Sequence, residues 1–518
     1  MSSLLPLLNS HSLVPALSGA EAEAVAGELA SDCALTVYPR SIAAENGRVY
    51  FLGVEEGRKV LGILSLDGKT AFDGTDRPVR HGILRLCPLT HKNAVALREA
   101  LPYTAPDIAG PRKSIGMGDR LGLATPGHIR AVRGTGLFPI LAQQSIREMS
   151  RTQRSPQQVL DDAAWGVFEE GYRDGYGADA DHLKNAEDAE GTFFAGFRMF
   201  TIDPGEHVDN AAGKEGIAAL KAKLPSVPWA QLETTEAECI KSFTTAPFKV
   251  HYDLELAFDE EKILRAVVKY GKAVAHTVAL YRQLLAKAGG KPFELEMSVD
   301  ETDSPTTPHE HFYVAFELRR LGVKVSSLAP RFIGAFEKGV DYQGDLKVFE
   351  EQFIQHAKIA RNLGPYKISI HSGSDKFAIY PIAAKHVKEM LHVKTAGTSY
   401  LEALRAIAQV SPALFREILA FALERYDTDK ASYHVSADPR AVARPDKLAD
   451  ADLSAVLDDH HGRQVLHVTY GSVLMAKNAD GTPRFYGRLM DALRKNEDVH
   501  YNIVAKHLRK HIDLMTNR

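Results

Sequence analysis

The sequence predicts an α/β chain: a (β/α)8 TIM-type barrel with a small N-terminal α+β domain and a helical C-terminal extension. Three observations carry this reading. Eight short apolar runs alternate with helical patterns between residues 111 and 410. Residues 1–110 have another texture, with apolar runs set apart by tight-turn residues. Residues 411–518 carry mostly helical patterns. A doubly wound open sheet is the rival arrangement of the same alternation.

In residues 1–110 an Ala/Glu-rich helix near 19–31 precedes the runs 33–39, 48–54, 59–66 and 82–89. Glu45-Asn46-Gly47, Glu56-Gly57 and Asp67-Gly68 separate them, which predicts a small antiparallel sheet. A Pro/Gly-rich stretch at 104–113 marks the boundary. Barrel strands are expected at 114–118, 137–142, 177–182, 198–203, 294–300, 324–329, 366–371 and 391–396. A helix over 259–288 opens with Asp259 as N-cap, repeats Ile263, Val267, Tyr270 and Val274, and closes at Gly289-Gly290. Another over 345–363 opens at Asp345 and ends at Gly364. Residues 204–258 are too long for a simple loop and predict an insertion, a candidate lid over the mouth.

Composition narrows the function classes. Lys+Arg 63 against Asp+Glu 66 gives a net charge of −3, so no basic excess points to nucleic acid or an anionic membrane. No apolar run is long enough to span a bilayer. The first 17 residues lack a basic n-region and carry Pro6 and Asn9, unlike a signal peptide. Three isolated cysteines, Cys33, Cys87 and Cys239, predict reduced thiols and a cytoplasmic setting. GMGDRLG (116–122) is not a dinucleotide fingerprint, and there is no Walker A or GxSxG, so no nicotinamide cofactor is expected.

In such a barrel the chemistry sits at the C-terminal strand ends. Those ends are Asp119-Arg120, Gln143-Gln144, Asp181 to Lys184, Asp203, Glu296 with Asp300, Arg331, His371 and Lys394-Thr395. Seven of the eight include an ionisable group, which a ring built for stability would not favour. In GADADHLK, Asp179 and Asp181 share a strand face, and His182 follows where the strand turns out. The plainer alternative is a helix N-cap Asp beside a surface His. Glu296 lies inside an apolar run, where a carboxylate must be paired with Arg or Lys, act as an acid or base, or bind a metal. His371 ends a strand before a Ser/Gly loop whose N–H groups could hold an anion, unless it is a satisfied core histidine. His311, in HEH (309–311), could reach the mouth.

The motifs GDRLGLATPGH (118–128), LAQQSIRE (141–148), VLDDAAWGVFEEGY (159–172), GADADHLK (177–184), MFTIDP (199–204), SVDETDSPT (298–306), RFIGAFEKGVDYQGDL (331–346), KISIHSGSDKFAIYP (367–381), HVKTAGTSYLEAL (392–404) and HVTYGSVL (467–474) together resemble the tagaturonate/fructuronate epimerase family. The likeness runs from about residue 110 to 518; the first 110 residues match loosely. It implies interconversion of D-tagaturonate and D-fructuronate, with weaker action on tagatose and fructose in some members, and a divalent metal: Zn, Ni, Co or Mn. It implies His182 and His371 as metal ligands and Asp181 with Glu296 as the acid/base pair. His311 is the candidate third ligand. Arg120, Lys184 and Lys376 are candidates for the substrate carboxylate, with Asp203 as a further substrate contact. The expected partner is a small sugar acid, with a homo-oligomer compatible. Two other readings fit the residues: a metal-dependent aldose–ketose isomerase, and a non-catalytic sugar-acid binding protein.

Overall fold

Eight parallel strands close on themselves in a computed structural model that describes residues 3–516. They are β1 (Ser114–Met117), β2 (Phe138–Ser145), β3 (Gly177–Leu183), β4 (Met199–Ile202), β5 (Glu294–Ser298), β6 (Ser327–Ala329), β7 (Lys367–Ile370) and β8 (Leu391–Thr395). Each pairs with its neighbour in sequence, and β8 pairs with β1 from His392↔Ser114 to Thr395↔Met117. Closure excludes the open doubly wound sheet. The expected helices form as spelled: Glu260–Ala288 with Asp259 capping and Gly289 left-handed at its end, and Leu346–Leu363 between Asp345 and Gly364.

The strands alternate in an unusual sense. Ile115, Ala178, Ala180, Phe200, Leu295, Met297, Leu328, Ile368, Ile370 and Val393 join the main apolar cluster with the surrounding helices. The alternate positions are Ser114, Asp179, Asp181, Thr201, Glu296, Ser327, Lys367, Ser369, His392 and Lys394, all buried. Their hydrogen bonds run from strand to strand: Lys367 Nζ and His392 meet Ser114 Oγ, and Ser327 and Ser369 donate to Glu296. Branched apolar layers usually fill such a barrel. Here hydrogen bonds and ion pairs fill much of it, beside a small apolar cluster of Ala109, Phe138, Ile140 and Met199.

The N-terminal domain is an antiparallel sheet in the order 36–37, 48–55, 58–65, 82–88, 75–79, with 43–45 on 48–55. Helix Gly19–Cys33, opened by a Ser18/Glu21 capping box, packs on it. Strand Thr75–Val79 escaped the sequence reading because TDRPV is charged and holds a proline, as suits a sheet edge. Trp165 and Phe168 of helix Pro156–Glu169 enter this domain's apolar cluster, and Lys59 reaches Glu169 at 2.7 Å and Glu497 at 2.8 Å. The domain is thereby fastened to the barrel.

The insertion does not lie over the mouth. Helices Ile217–Lys223 and Glu236–Thr244 and the hairpin 248–256 pack on helices 260–288 and Pro308–Arg320. Phe243 meets Tyr313 and Phe316 at centroid distances of 5.6 and 5.2 Å, and Phe248 meets Phe312 at 4.7 Å. These apolar faces need cover, and the insertion supplies it. The mouth is bordered instead by 330–338 and by Tyr433, His434 and Val435.

The C-terminal extension is helical, and the YGSV of the motif at 467–474 lies in helix Tyr470–Met475. Helix Glu497–Thr516 latches the loop after β7. Asp375, left-handed at φ 59°, takes Arg463 at 2.9 Å and His507 at 2.6 Å, and its backbone N–H donates to His511 Nε2 at 3.1 Å. No helix among the described residues is long and apolar enough to cross a membrane. All three cysteines are free and buried.

Candidate active site

Lys394 rises from β8 into the barrel axis. Its ammonium lies 2.8 Å from Asp179, 3.0 Å from Asp181 and 3.1 Å from Glu296, and donates to Thr201. Burial pushes a lysine towards neutrality, but three carboxylates outweigh it and hold Lys394 charged. The same exchange acts in reverse on the acids. Burial pushes Asp181 up, yet Lys394, His371 and His182 hold it well below the usual carboxylate range. Glu296 is also lowered, against burial, by Lys394, His392 and His371. Asp179, deepest and least compensated, is raised by burial to about 6.

One layer higher, β3 breaks its alternation. Between the pairs Ala180↔Phe200 and Leu183↔Ile202, β3 carries one residue more than β4. The extra residue is absorbed by a left-handed His182, φ 53°. Such a bulge re-aims a side chain, and here it gives Asp181 and His182 to the same cavity. A non-glycine residue in this conformation stores strain on the order of 1 kcal/mol or more.

The two imidazoles stack at 4.5 Å between centroids. His182 Nδ1 sits 3.1 Å from Asp203, and His371 Nδ1 sits 2.9 Å from Asp300 and 2.6 Å from Ser298 Oγ. His371 Nε2 lies 2.9 Å from Asp181 Oδ1. Burial works against protonating His371, but Asp300 and Asp181 raise it well above the ordinary value; His182 is raised too, through Asp181. Ligand atoms of Asp181, His182 and His371 all lie within 4.8 Å of one another. A histidine whose far nitrogen is held by a carboxylate is the arrangement that orients metal ligands. This N/O donor set fits a divalent transition metal.

The other expected residues divide. Asp203 belongs to the rim, but as the partner of His182, also accepting from the Gly205 N–H at 2.9 Å. Glu296 sits below Lys394, fully buried and outside the cavity lining, so its carboxylate reaches the cavity only through that ammonium. His311 is not at the mouth. It lies on helix 308–320 with Nδ1 2.8 Å from His356 and Nε2 2.8 Å from the Tyr366 hydroxyl, and burial holds it well below an ordinary histidine pKa. One nitrogen serves packing against helix Leu346–Leu363 and the other ties the helix to the start of β7. Arg120 lines the cavity, but Glu148 takes its charge at 2.7 Å and Tyr470 stacks on it at 3.6 Å. Lys184 is exposed and pairs with Glu206 at 2.7 Å. Lys376 donates to the carbonyls of Glu337, Val340 and Ser374, and burial lowers it to about 7. It ties down the 337–340 loop.

Asp300 and Lys394 stood among the strand ends but were not singled out. Arg147, Glu301, Lys338 and Tyr433 came with no strand-end signal at all, since they lie beyond the strands. A cleft of about 470 Å³, bordered by Asp300, Glu301, Lys338, His371 and Tyr433, leads to the deeper cavity of Asp181, His182 and Lys394.

A closed barrel with imidazole, carboxylate and ammonium gathered at its C-terminal rim is the architecture of a TIM-barrel enzyme. A family model for tagaturonate epimerase matches residues 38–515. The tagaturonate/fructuronate epimerase of Thermotoga maritima is 43% identical over 480 residues, covering 92% of this chain and 96% of its own length. Crystal structures of the fructuronate-tagaturonate epimerase UxaE from Cohnella laeviribosi, native and glycerol-complexed, superpose with a TM-score of 0.88 at 37% identity, covering 96% of this chain and 99% of theirs. The chain belongs to the tagaturonate epimerase family. The match begins at residue 38, so most of the N-terminal domain, whose likeness was loose by motif, belongs to it as well.

Proposed function

We propose that the chain interconverts D-tagaturonate and D-fructuronate by retro-aldol cleavage and re-addition, with a divalent cation held by Asp181, His182 and His371. The observation that supports this most is the pair of imidazoles, each with Nδ1 held by a carboxylate, beside an ionised Asp181. The inverted carbon carries a hydroxyl β to the ketone, so the carbonyl does not acidify its C–H and direct proton abstraction fails. Cleaving the adjacent C–C bond avoids this. Asp181 accepts the hydroxyl proton as that bond breaks, leaving an enediolate and a three-carbon aldehyde acid. The aldehyde turns about its remaining bond and re-adds through its other face, and Asp181 returns the proton. A divalent cation supplies the Lewis acid that disperses the developing charge. Lys394 keeps Asp181 ionised and presents an ammonium to the cavity, with Glu296 and Asp179 balancing it from below.

The test is D-fructuronate in D₂O followed by NMR, with EDTA and with metal restored. The expected result is tagaturonate appearing only with metal, without deuterium at the inverted carbon. Deuterium in a C–H bond would replace the epimerase with an aldose–ketose isomerase. Binding without turnover under any metal would leave a sugar-acid binding protein.

A further inference from the structure

The cations of the inner cavity are unequally committed. Lys394 holds three carboxylates at 2.8 to 3.1 Å, Arg120 has Glu148 at 2.7 Å, and Lys376 is spent on backbone carbonyls. Arg147 and Lys338 differ. Arg147 begins the helix after β2, and Lys338 comes from the loop after β6, yet both line the cavity that holds Asp181 and His182. Both face Glu301 across gaps of 3.6 and 3.7 Å, too long for hydrogen bonds. Lys338 otherwise meets Ser372 Oγ at 3.0 Å, and Arg147 lies 5.3 Å from the Tyr433 ring centroid. Two charged donors from opposite sides of the barrel, both facing the same Glu301 oxygen, thus keep most of their hydrogen-bonding capacity.

We propose that Arg147 and Lys338 clamp the substrate carboxylate, Arg147 through its planar fork and Lys338 as a point charge. This deepens the reading of the site given above and rests on it. The chemistry sets where such a clamp must be. In a ketohexuronate the carboxyl carbon is only two C–C bonds from the carbon that inverts. Its anchor must therefore share the cavity with Asp181, as these residues do and the exposed Lys184 does not.

The clamp also has a task during the reaction. Cleavage divides the six carbons into a dihydroxyacetone enediolate and the aldehyde acid OHC–CH(OH)–COO⁻. The carboxylate is on the half that must turn. Holding it fixes one end of that fragment while the aldehyde rotates, and keeps it from leaving. If the fragment escapes, the enediolate takes one proton from solvent and dihydroxyacetone departs. The aldehyde acid is released with it, and no oxidant or reductant is involved.

The variants are Arg147→Gln and Lys338→Met, with Arg147→Lys as the conservative control and thermal unfolding to check folding. Binding of fructuronate and of neutral fructose is read by calorimetry, separately from turnover and from enzymatic detection of dihydroxyacetone. The clamp requires the preference for uronate over ketose to fall at least tenfold in Arg147→Gln and Lys338→Met, with partial recovery in Arg147→Lys. It also requires dihydroxyacetone to appear per turnover where the wild type releases none. An unchanged uronate preference in folded variants overturns the clamp. A wild type that binds fructuronate but turns over nothing overturns the epimerase reading, while the binding preference still decides the clamp.

Discussion

Replacing Lys394 by methionine keeps an unbranched stem one atom shorter and removes the one ammonium among Asp179, Asp181 and Glu296. His371 still compensates Asp181 at 2.9 Å, so Asp179 and Glu296 bear the loss. At pH 8 at least one of them must bind a proton for the barrel to close. That costs about 1.4 kcal/mol for each pH unit above the unfolded carboxyl value near 4, hence up to ~5 kcal/mol. The figure agrees with the ~3–5 kcal/mol typical of breaking a buried ion pair. At pH 5 the same proton costs only ~1 kcal/mol. The sign follows from proton counting: the folded variant binds more protons than its unfolded chain, so its stability falls as pH rises. Urea unfolding of metal-free wild type and Lys394→Met at pH 5 and pH 8 reads this directly. The variant should be strongly destabilised at pH 8 and mildly at pH 5. Equal losses at both, or none at pH 8, would refute the electrostatic account of the barrel interior.

Lys376→Met should loosen the 337–340 loop by removing three donors to carbonyls, raising KM more than it lowers kcat in steady-state assays. Wild-type Lys376 is depressed from 10.5 to about 7, so the folded chain holds fewer protons between those values and stability rises with pH there; the variant should lose that slope in urea titrations at pH 7 and 9.5. Glu169 is raised by burial from 4.5 to about 7, so wild-type stability falls as pH rises through that window. Glu169→Gln should abolish the fall, worth up to ~3 kcal/mol, in thermal midpoints at pH 5 and 8. His371→Ala should weaken divalent-metal binding at least tenfold by calorimetry, whereas His311→Phe should leave it unchanged; a loss on His311→Phe would return that histidine to the site.

The barrel was legible because its outward positions are apolar and its strands are punctuated by glycine, proline and N-caps. All eight strands lie where the apolar runs put them. That Asp181, His182 and His371 lie together at the mouth was legible for another reason: a strand end in this architecture faces the mouth. His311 misled because a helix face pointing at another helix looks, in one dimension, like one pointing at a cavity. Only packing against His356 and Tyr366 distinguishes them. Glu296 was correctly marked as a carboxylate needing a partner, but its depth relative to Lys394 depends on how eight strands stagger around the axis. The insertion was visible as an excess of chain, and its place was set by uncovered phenylalanines on two helices distant in sequence.

The latch on Asp375 bears on how the protein is made. His507 lies 132 residues beyond the carboxylate it holds, and the loop it steadies carries His371. During synthesis the eight strands leave the ribosome well before that helix does. The same helix also carries Val504, Leu508, Ile512 and Met515 into the barrel's main apolar cluster, so one late segment completes both the core and the hold on the left-handed Asp375.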